Sequence, residues 1–171
     1  KYKMHFLLDF HYSDYWADPG QQNKPDAWKN LSFDELKEAV HKYTYDVLYR
    51  LKIMDCAPDM VQIGNEIRSG MLFPDGAVPQ YRQLAALVNE GIRAVRELLP
   101  ETKVMIHLDQ GGRYNCIMPW FDSMFNAGML PIDAIGLSFY SFWHGTFMDL
   151  KDTMSRLIKL YNLPVYIVET A

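Results

Sequence analysis

The 171-residue sequence has only two cysteines, Cys56 and Cys116, and neither sits in a CxxC or Cys/His ligand spacing. A disulfide-built scaffold and a zinc-type cluster are therefore excluded, and two buried thiols are the expectation. No run approaches the roughly 18 apolar residues that a membrane-spanning helix needs, and the opening KYKMHFLLDF lacks the layout of a secretory leader. An excess of positive charge is missing too. The 17 Lys+Arg against 21 Asp+Glu give −4 at pH 7, so neither nucleic acid nor an anionic membrane surface is an expected partner. What is present is ordinary for a globular chain, 49% hydrophobic and 22% charged residues, enough for one sizeable core. The aromatic share is high at 14%. Several rings sit beside Gly, Pro and Asp instead of in periodic runs, which suits a binding surface built from loops.

The periodicity repeats one unit, a short apolar strand followed by turn residues and an amphipathic helix. Strands are expected at Met4–Asp9, Met60–Gly64, Lys103–Leu108, Ala134–Ser138 and Val165–Val168. Helices are expected from Phe33 to Leu51, opened by a Ser32/Glu35 capping box, and from Tyr81 to Leu99 before Pro100. Two more run from about Tyr114 to Ala127, ending at Gly128, and from Asp149 to Tyr161 before Leu163-Pro164. Alternating strands and helices imply a parallel sheet with right-handed crossovers. No Gly-rich phosphate turn follows the first strand, and polar residues stand at the C-terminal end of every strand, so a (β/α)8 barrel is favoured over a doubly wound sheet. A whole barrel takes about 250 residues. Residues 1–171 are accordingly read as one domain, a central part of a barrel with about five strands and four helices, roughly strands three to seven.

The strand ends carry Asp9-Phe10-His11-Tyr12, Asn65-Glu66, His107-Leu108-Asp109, Ser138-Phe139-Tyr140 and Glu169-Thr170. Glu66 and Glu169 each directly follow an apolar strand, MVQIGNE and VYIVE. On one rim they form a carboxylate pair suited to glycosidic cleavage, one group protonating the leaving oxygen and the other attacking the anomeric carbon; in a retaining enzyme such a pair stands about 5–5.5 Å apart. The alternative is that each is a strand-end residue paired with a nearby Arg or Lys. Asn65 is placed to hydrogen-bond the sugar hydroxyl beside the reacting carbon, or else to stabilise its turn. His11, His107 and Asp109 are polar groups for a polyol or for setting the glutamates' protonation; core histidines and a metal site are the other readings, with no short-range ligand motif for the latter. Tyr12, Trp16, Tyr140 and Trp143 lie in loops where flat rings stack on sugar faces, whereas Trp28, Trp120, Tyr43 and Tyr45 fit the helix layer. The loop from Ser13 to Ser32 is too long for a plain connection and reads as functional.

The ordered segments LLDFHYSDYWADPG, VQIGNEIRSGMLFPDG, MIHLDQGG, AIGLSFYSFWHG and VYIVETA resemble glycoside hydrolase family 53, the endo-β-1,4-galactanases acting on type I arabinogalactan. The resemblance implies Glu66 as acid/base and Glu169 as nucleophile, and Asn65 as the asparagine beside the acid/base. His11, Asp14 and Trp16 fall in the first conserved block, while Tyr140 and Trp143 match aromatics lining the cleft. It further implies no cofactor, a galactan or arabinogalactan polysaccharide as partner, and a monomer as intact protein. A polymer that cannot cross a membrane implies secretion or surface display. Calcium in this family binds near the last strand, beyond these residues, so no metal is expected in this chain. A barrel lacking three strands is expected to be inactive and prone to aggregate in isolation.

Overall fold

The structure, a computed structural model, describes residues 4–171. Residues 1–3, which open the expected single domain, lie outside the described residues. The chain begins with β1 (Leu7–Phe10), then α1 (Phe33–Ile53), β2 (Met60–Ile63), the two-residue strands β3 (Gly70–Met71) and β4 (Gly76–Ala77), and α2 (Tyr81–Leu98). It continues with β5 (Lys103–Leu108), α3 (Tyr114–Asn126), β6 (Ala134–Phe139), a short α4 (Ser141–His144), α5 (Phe147–Tyr161) and β7 (Val165–Thr170). Single turns of 3-10 helix lie at Asp26–Trp28 and Ile67–Ser69.

Five strands form one sheet in the order β1-β2-β5-β6-β7, every neighbouring pair parallel. This is the arrangement of a (β/α)8 barrel segment. One face carries Leu8, Phe10, Val61, Ile63, Val104, Ile106, Leu108, Ile135 and Leu137, which join helix residues such as Leu48, Leu84, Val88, Ile117 and Phe121 in one core. Each such side chain withdrawn from water contributes about 1.5–3 kcal/mol. The register places Asp9, Gln62 and Met105 on the opposite face, and likewise His107 opposite Gly136. Polar groups on that face thus gather toward the C-terminal ends of the strands. At the other end, Phe6, Met60, Met105, Tyr166 and Val168 line a cavity of ≈ 720 Å³ whose wall also carries His5 and Asp59, 3.0 Å apart.

Helix α1 starts where the sequence predicts. Ser32 Oγ accepts from the Glu35 N–H, and the Glu35 carboxylate accepts from the Ser32 N–H at 2.8 Å. The last helix starts earlier than expected, at Phe147, because a second capping box pairs Thr146 with Asp149; Asp149 is the third helical residue and not the first. The first strand runs Leu7–Phe10 in place of Met4–Asp9, starting three residues later and ending one residue later. The β3–β4 hairpin has strands of only two residues each and is not anticipated; Gly70 adopts φ +108°, and a Cβ there would stand 2.1 Å from the Gly76 carbonyl oxygen. Cys56 and Cys116 are exposed thiols, which corrects the expectation of burial: Cys56 follows the end of α1, and Cys116 lies in the first turn of α3 on its outer side.

Candidate active site

The stretch Gly64-Asn65-Glu66 makes the first half of the site. Gly64 leaves β2 at φ +80°, where a Cβ would meet Ile67 Cγ2 at 2.6 Å, and Glu66 itself sits in the left-handed region at φ 48°, ψ 45°. A non-glycine residue held there is strained, and such strain gathers at functional sites. The fold holds it by consuming Asn65. The Asn65 amide donates to the Ala17 carbonyl (2.9 Å), its Oδ1 accepts from Gln62 (3.2 Å) and lies 2.8 Å from His107 Nδ1, and its backbone carbonyl accepts from Gln22 (2.8 Å).

The second half comes from a β-bulge. The β6–β7 pairing runs Leu137↔Ile167 and then Ser138↔Glu169, skipping Val168. Without that extra residue Glu169 would pair with Phe139 and point to the helix side, because a one-residue slip reverses every side chain. With it, Glu169 points to the same side as Ser138. One carboxylate oxygen of Glu66, one of Glu169 and a ring nitrogen of His107 consequently lie within 4.8 Å of one another. Both His107 nitrogens are already engaged, Nδ1 with Asn65 and Nε2 with Ser138 Oγ at 2.8 Å, and Ser138 in turn contacts Glu66.

The two carboxyl groups have different surroundings. Glu66 is buried and in hydrogen-bond contact with Ser138, and burial first, then the neighbouring Glu169, Asp109 and Asp18, push its pKa up to about 7. Glu169 is half-buried and accepts a hydrogen bond from the Tyr140 phenol at 3.1 Å. Burial pulls His107 down to about 3, so its imidazole is neutral. His11 is raised, chiefly by its contact with Asp9, whose Oδ2 lies 3.0 Å from Nε2; its Nδ1 accepts from the Ala17 N–H.

The remaining expected residues divide. Trp16 and Trp143 are 71% and 65% exposed, Tyr140 packs against Trp143 with ring centroids 5.6 Å apart, and Trp16 stands edge-on to His11. Asp14 is exposed, and its carboxylate caps the Asp26 N–H at 2.7 Å. Asp109 is a correction: it is 4% exposed, and Arg68 grips both its oxygens at 2.7 and 3.0 Å, so it anchors the loop after β2 and is not open to a polyol. His107, 1% exposed, likewise acts on Asn65 and Ser138 in place of a sugar. Tyr12 is not a stacking platform, being buried with its hydroxyl 2.7 Å from Thr44 Oγ1. Trp120 and Trp28 do pack the helix layer. Ser138, Gln62, Gln22 and Arg68 were not legible as site residues; only the position of Ser138 among the strand ends hinted at a part.

All five ordered segments, and with them the entire length, fit one family model: residues 1–171 match glycosyl hydrolase family 53. The chain belongs to this family. It is 35% identical over 170 residues to an arabinogalactan endo-beta-1,4-galactanase of Thermothelomyces thermophilus, covering 95% of this chain and 51% of that protein. The solved GH53 catalytic domain of Ignisphaera aggregans superposes with a TM-score of 0.92 at 43% identity, over 96% of this chain and 45% of that one. A structure of fungal beta-1,4-galactanases gives 0.93 at 34% identity, over 98% and 52%. This family member therefore spans about half the length of the relatives it matches.

Proposed function

We propose that the protein carrying this chain is a retaining glycoside hydrolase that cleaves internal β-1,4-galactosidic linkages of galactan or arabinogalactan. The observation that carries the reading is the pair Glu66 and Glu169, with carboxylate oxygens within 4.8 Å and one of the two disposed to keep its proton up to about pH 7. Such a separation leaves no room for a water between carboxylate and sugar, as an inverting enzyme requires, and suits a covalent intermediate. Glu169 attacks the anomeric carbon while Glu66 protonates the departing oxygen. Glu66, now a base, then takes a proton from water, which releases the sugar from Glu169. The Tyr140 phenol orients the Glu169 oxygen, and Trp16 and Trp143 offer exposed rings on which pyranose faces stack. The galactan specificity is supported by relatives named as endo-beta-1,4-galactanases. A polymeric substrate places the work outside the cell, and no symmetric interface is needed, so a secreted or surface-displayed monomer completes the proposal.

The test is reducing-sugar release by the intact protein on linear β-1,4-galactan beside β-mannan, cellulose and β-1,3-galactan, with Glu169→Gln as control. Release from β-1,4-galactan alone, abolished in the control, is expected. Release from another glycan keeps the mechanism and discards the substrate, and silence on all four discards both.

A further inference from the structure

The hydrogen bonds around Asn65 fix which nitrogen of His107 carries the proton. The Ala17 carbonyl can only accept, so the Asn65 atom 2.9 Å from it is the amide nitrogen and the other is the oxygen. That oxygen, 2.8 Å from His107 Nδ1, can only accept, so Nδ1 carries the proton. The imidazole is neutral at ordinary pH, which leaves Nε2 a bare acceptor whose nearest polar partner is the Ser138 hydroxyl at 2.8 Å. A serine has one hydrogen. When it goes to His107, the contact between Ser138 Oγ and Glu66 Oε1 is a hydrogen bond only if Glu66 holds a proton and donates it.

Resting on the glycosidase reading, we propose that Ser138 and His107 are positioning residues that govern the protonation of Glu66. The Ser138 hydroxyl donates to His107 Nε2 while Glu66 is an acid, and turns to donate to the Glu66 carboxylate once that proton has passed to the glycosidic oxygen. In the second arrangement His107 Nε2 loses its donor while buried, which penalises the ionised state and draws the proton back to Glu66 when water attacks. The balance is closed: the Glu66 O–H bond breaks as the leaving oxygen gains hydrogen, and water restores it. Other charged or titratable groups that bear on Glu66 are Asp18 and His11 near β1, Arg68 after β2, Asp109 after β5, Tyr140 after β6 and Glu169 on β7.

A double-mutant cycle in the intact protein tests the coupling through the alkaline limb of kcat/KM, which reports loss of the Glu66 proton. His107→Phe frees the hydroxyl to serve the carboxylate permanently, so the limb moves down by about one pH unit. In a Ser138→Ala background the same His107→Phe change moves it by less than about a third of that. An equal shift in both backgrounds, or none in either, overturns the proposal. Should His107→Phe fail to fold by circular dichroism, nitrogen-15 NMR of His107 in the unaltered protein decides. Protonated Nδ1 and bare Nε2 from pH 5 to 8 are expected, whereas a proton on Nε2 overturns the proposal. The NMR outcome does not depend on any sugar being cleaved, so it separates failure of this inference from failure of the proposed activity.

Discussion

The turn after β2 and the end of β7 each bring one glutamate to the same cleft, by opposite means. Glu66 is held in a left-handed turn, buried, and tied through Ser138, His107 and Asn65 to the loop at Ala17. Glu169 rides on a bulged strand, aimed by one skipped register position, half-buried and accepting from the Tyr140 phenol. The lesson is that burial raises the pKa of Glu66 while lighter cover leaves the Glu169 side chain accessible, an asymmetry that suits the roles proposed for them.

The largest effect that breaks this comparison comes from removing each carboxylate in turn. Glu169→Gln removes the group proposed to form the covalent intermediate, and turnover should fall by about 10⁴-fold or more on polymer and activated aryl glycosides alike. Glu66→Gln should lose about 10²–10⁴-fold on polymer and far less on a dinitrophenyl glycoside, whose leaving group needs no proton. Single-turnover kinetics on both substrate types reads the difference. Equal losses on the two substrates for Glu66→Gln would remove its assignment as the acid.

The contrast also marks what the sequence could disclose. The order of the five sheet strands and four long helices was legible because buried parallel strands read as unbroken apolar runs and helix α1 opens with a capping box that occupies four adjacent letters. Both glutamates were legible for the same reason, each being a charge at the end of an apolar strand. The aim of Glu169 was not, since the skip at Val168 is a property of pairing with β6 and leaves no mark in VYIVET. Nor was the fate of Asp109, whose partner Arg68 lies 41 residues away, or of Tyr12, which is drawn under α1 by Thr44. Polar letters at a rim announce a site; which of them face substrate and which face each other is decided by contacts between distant segments.

Arg68→Ala attacks the Glu66 side of the comparison from outside the cluster. It strips the buried Asp109 carboxylate of its bidentate partner and leaves Gln110 at 3.2 Å as the remaining side-chain contact. Breaking a fully buried pair costs about 3–5 kcal/mol; here the guanidinium is 36% exposed, and screening brings the expected loss to about 2 kcal/mol. Urea unfolding of the intact protein measures it, and a loss under about 0.5 kcal/mol would mean that the pair does not anchor the turn.

Glu66→Gln should also change stability in a pH-dependent way. The folded pKa of about 7 lies above the ordinary 4.5, so this group's contribution is fully present below about pH 4.5 and is lost as pH rises through about 7. A glutamine keeps the shape of the protonated carboxyl and never ionises. The variant should therefore match the native protein near pH 4 and exceed it by roughly 1–2 kcal/mol at pH 8. Denaturation midpoints at the two pH values check this, and a gain of the same size at both would show that ionisation of Glu66 is not what costs stability.

Tyr140→Phe probes the Glu169 side, where least is built and the smallest effect is expected. The phenol donates to Glu169 Oε2 at 3.1 Å, and burial, then that hydrogen bond, raise its pKa, so it remains a donor across the working pH range. The ring is kept in the variant, still 5.6 Å from Trp143 and 5.5 Å from His144 between centroids, so the loop after β6 retains its packing. One hydrogen bond to a charged group is worth about 1.5 kcal/mol, or about tenfold in rate. The loss should fall on kcat with KM nearly unchanged, because the phenol holds the attacking oxygen in line instead of binding sugar. A rise in KM of similar size would instead make Tyr140 a substrate contact. A loss beyond about 10³-fold would show that the nucleophile depends on its one partner as heavily as Glu66 depends on its network, and the asymmetry between the two carboxylates would disappear.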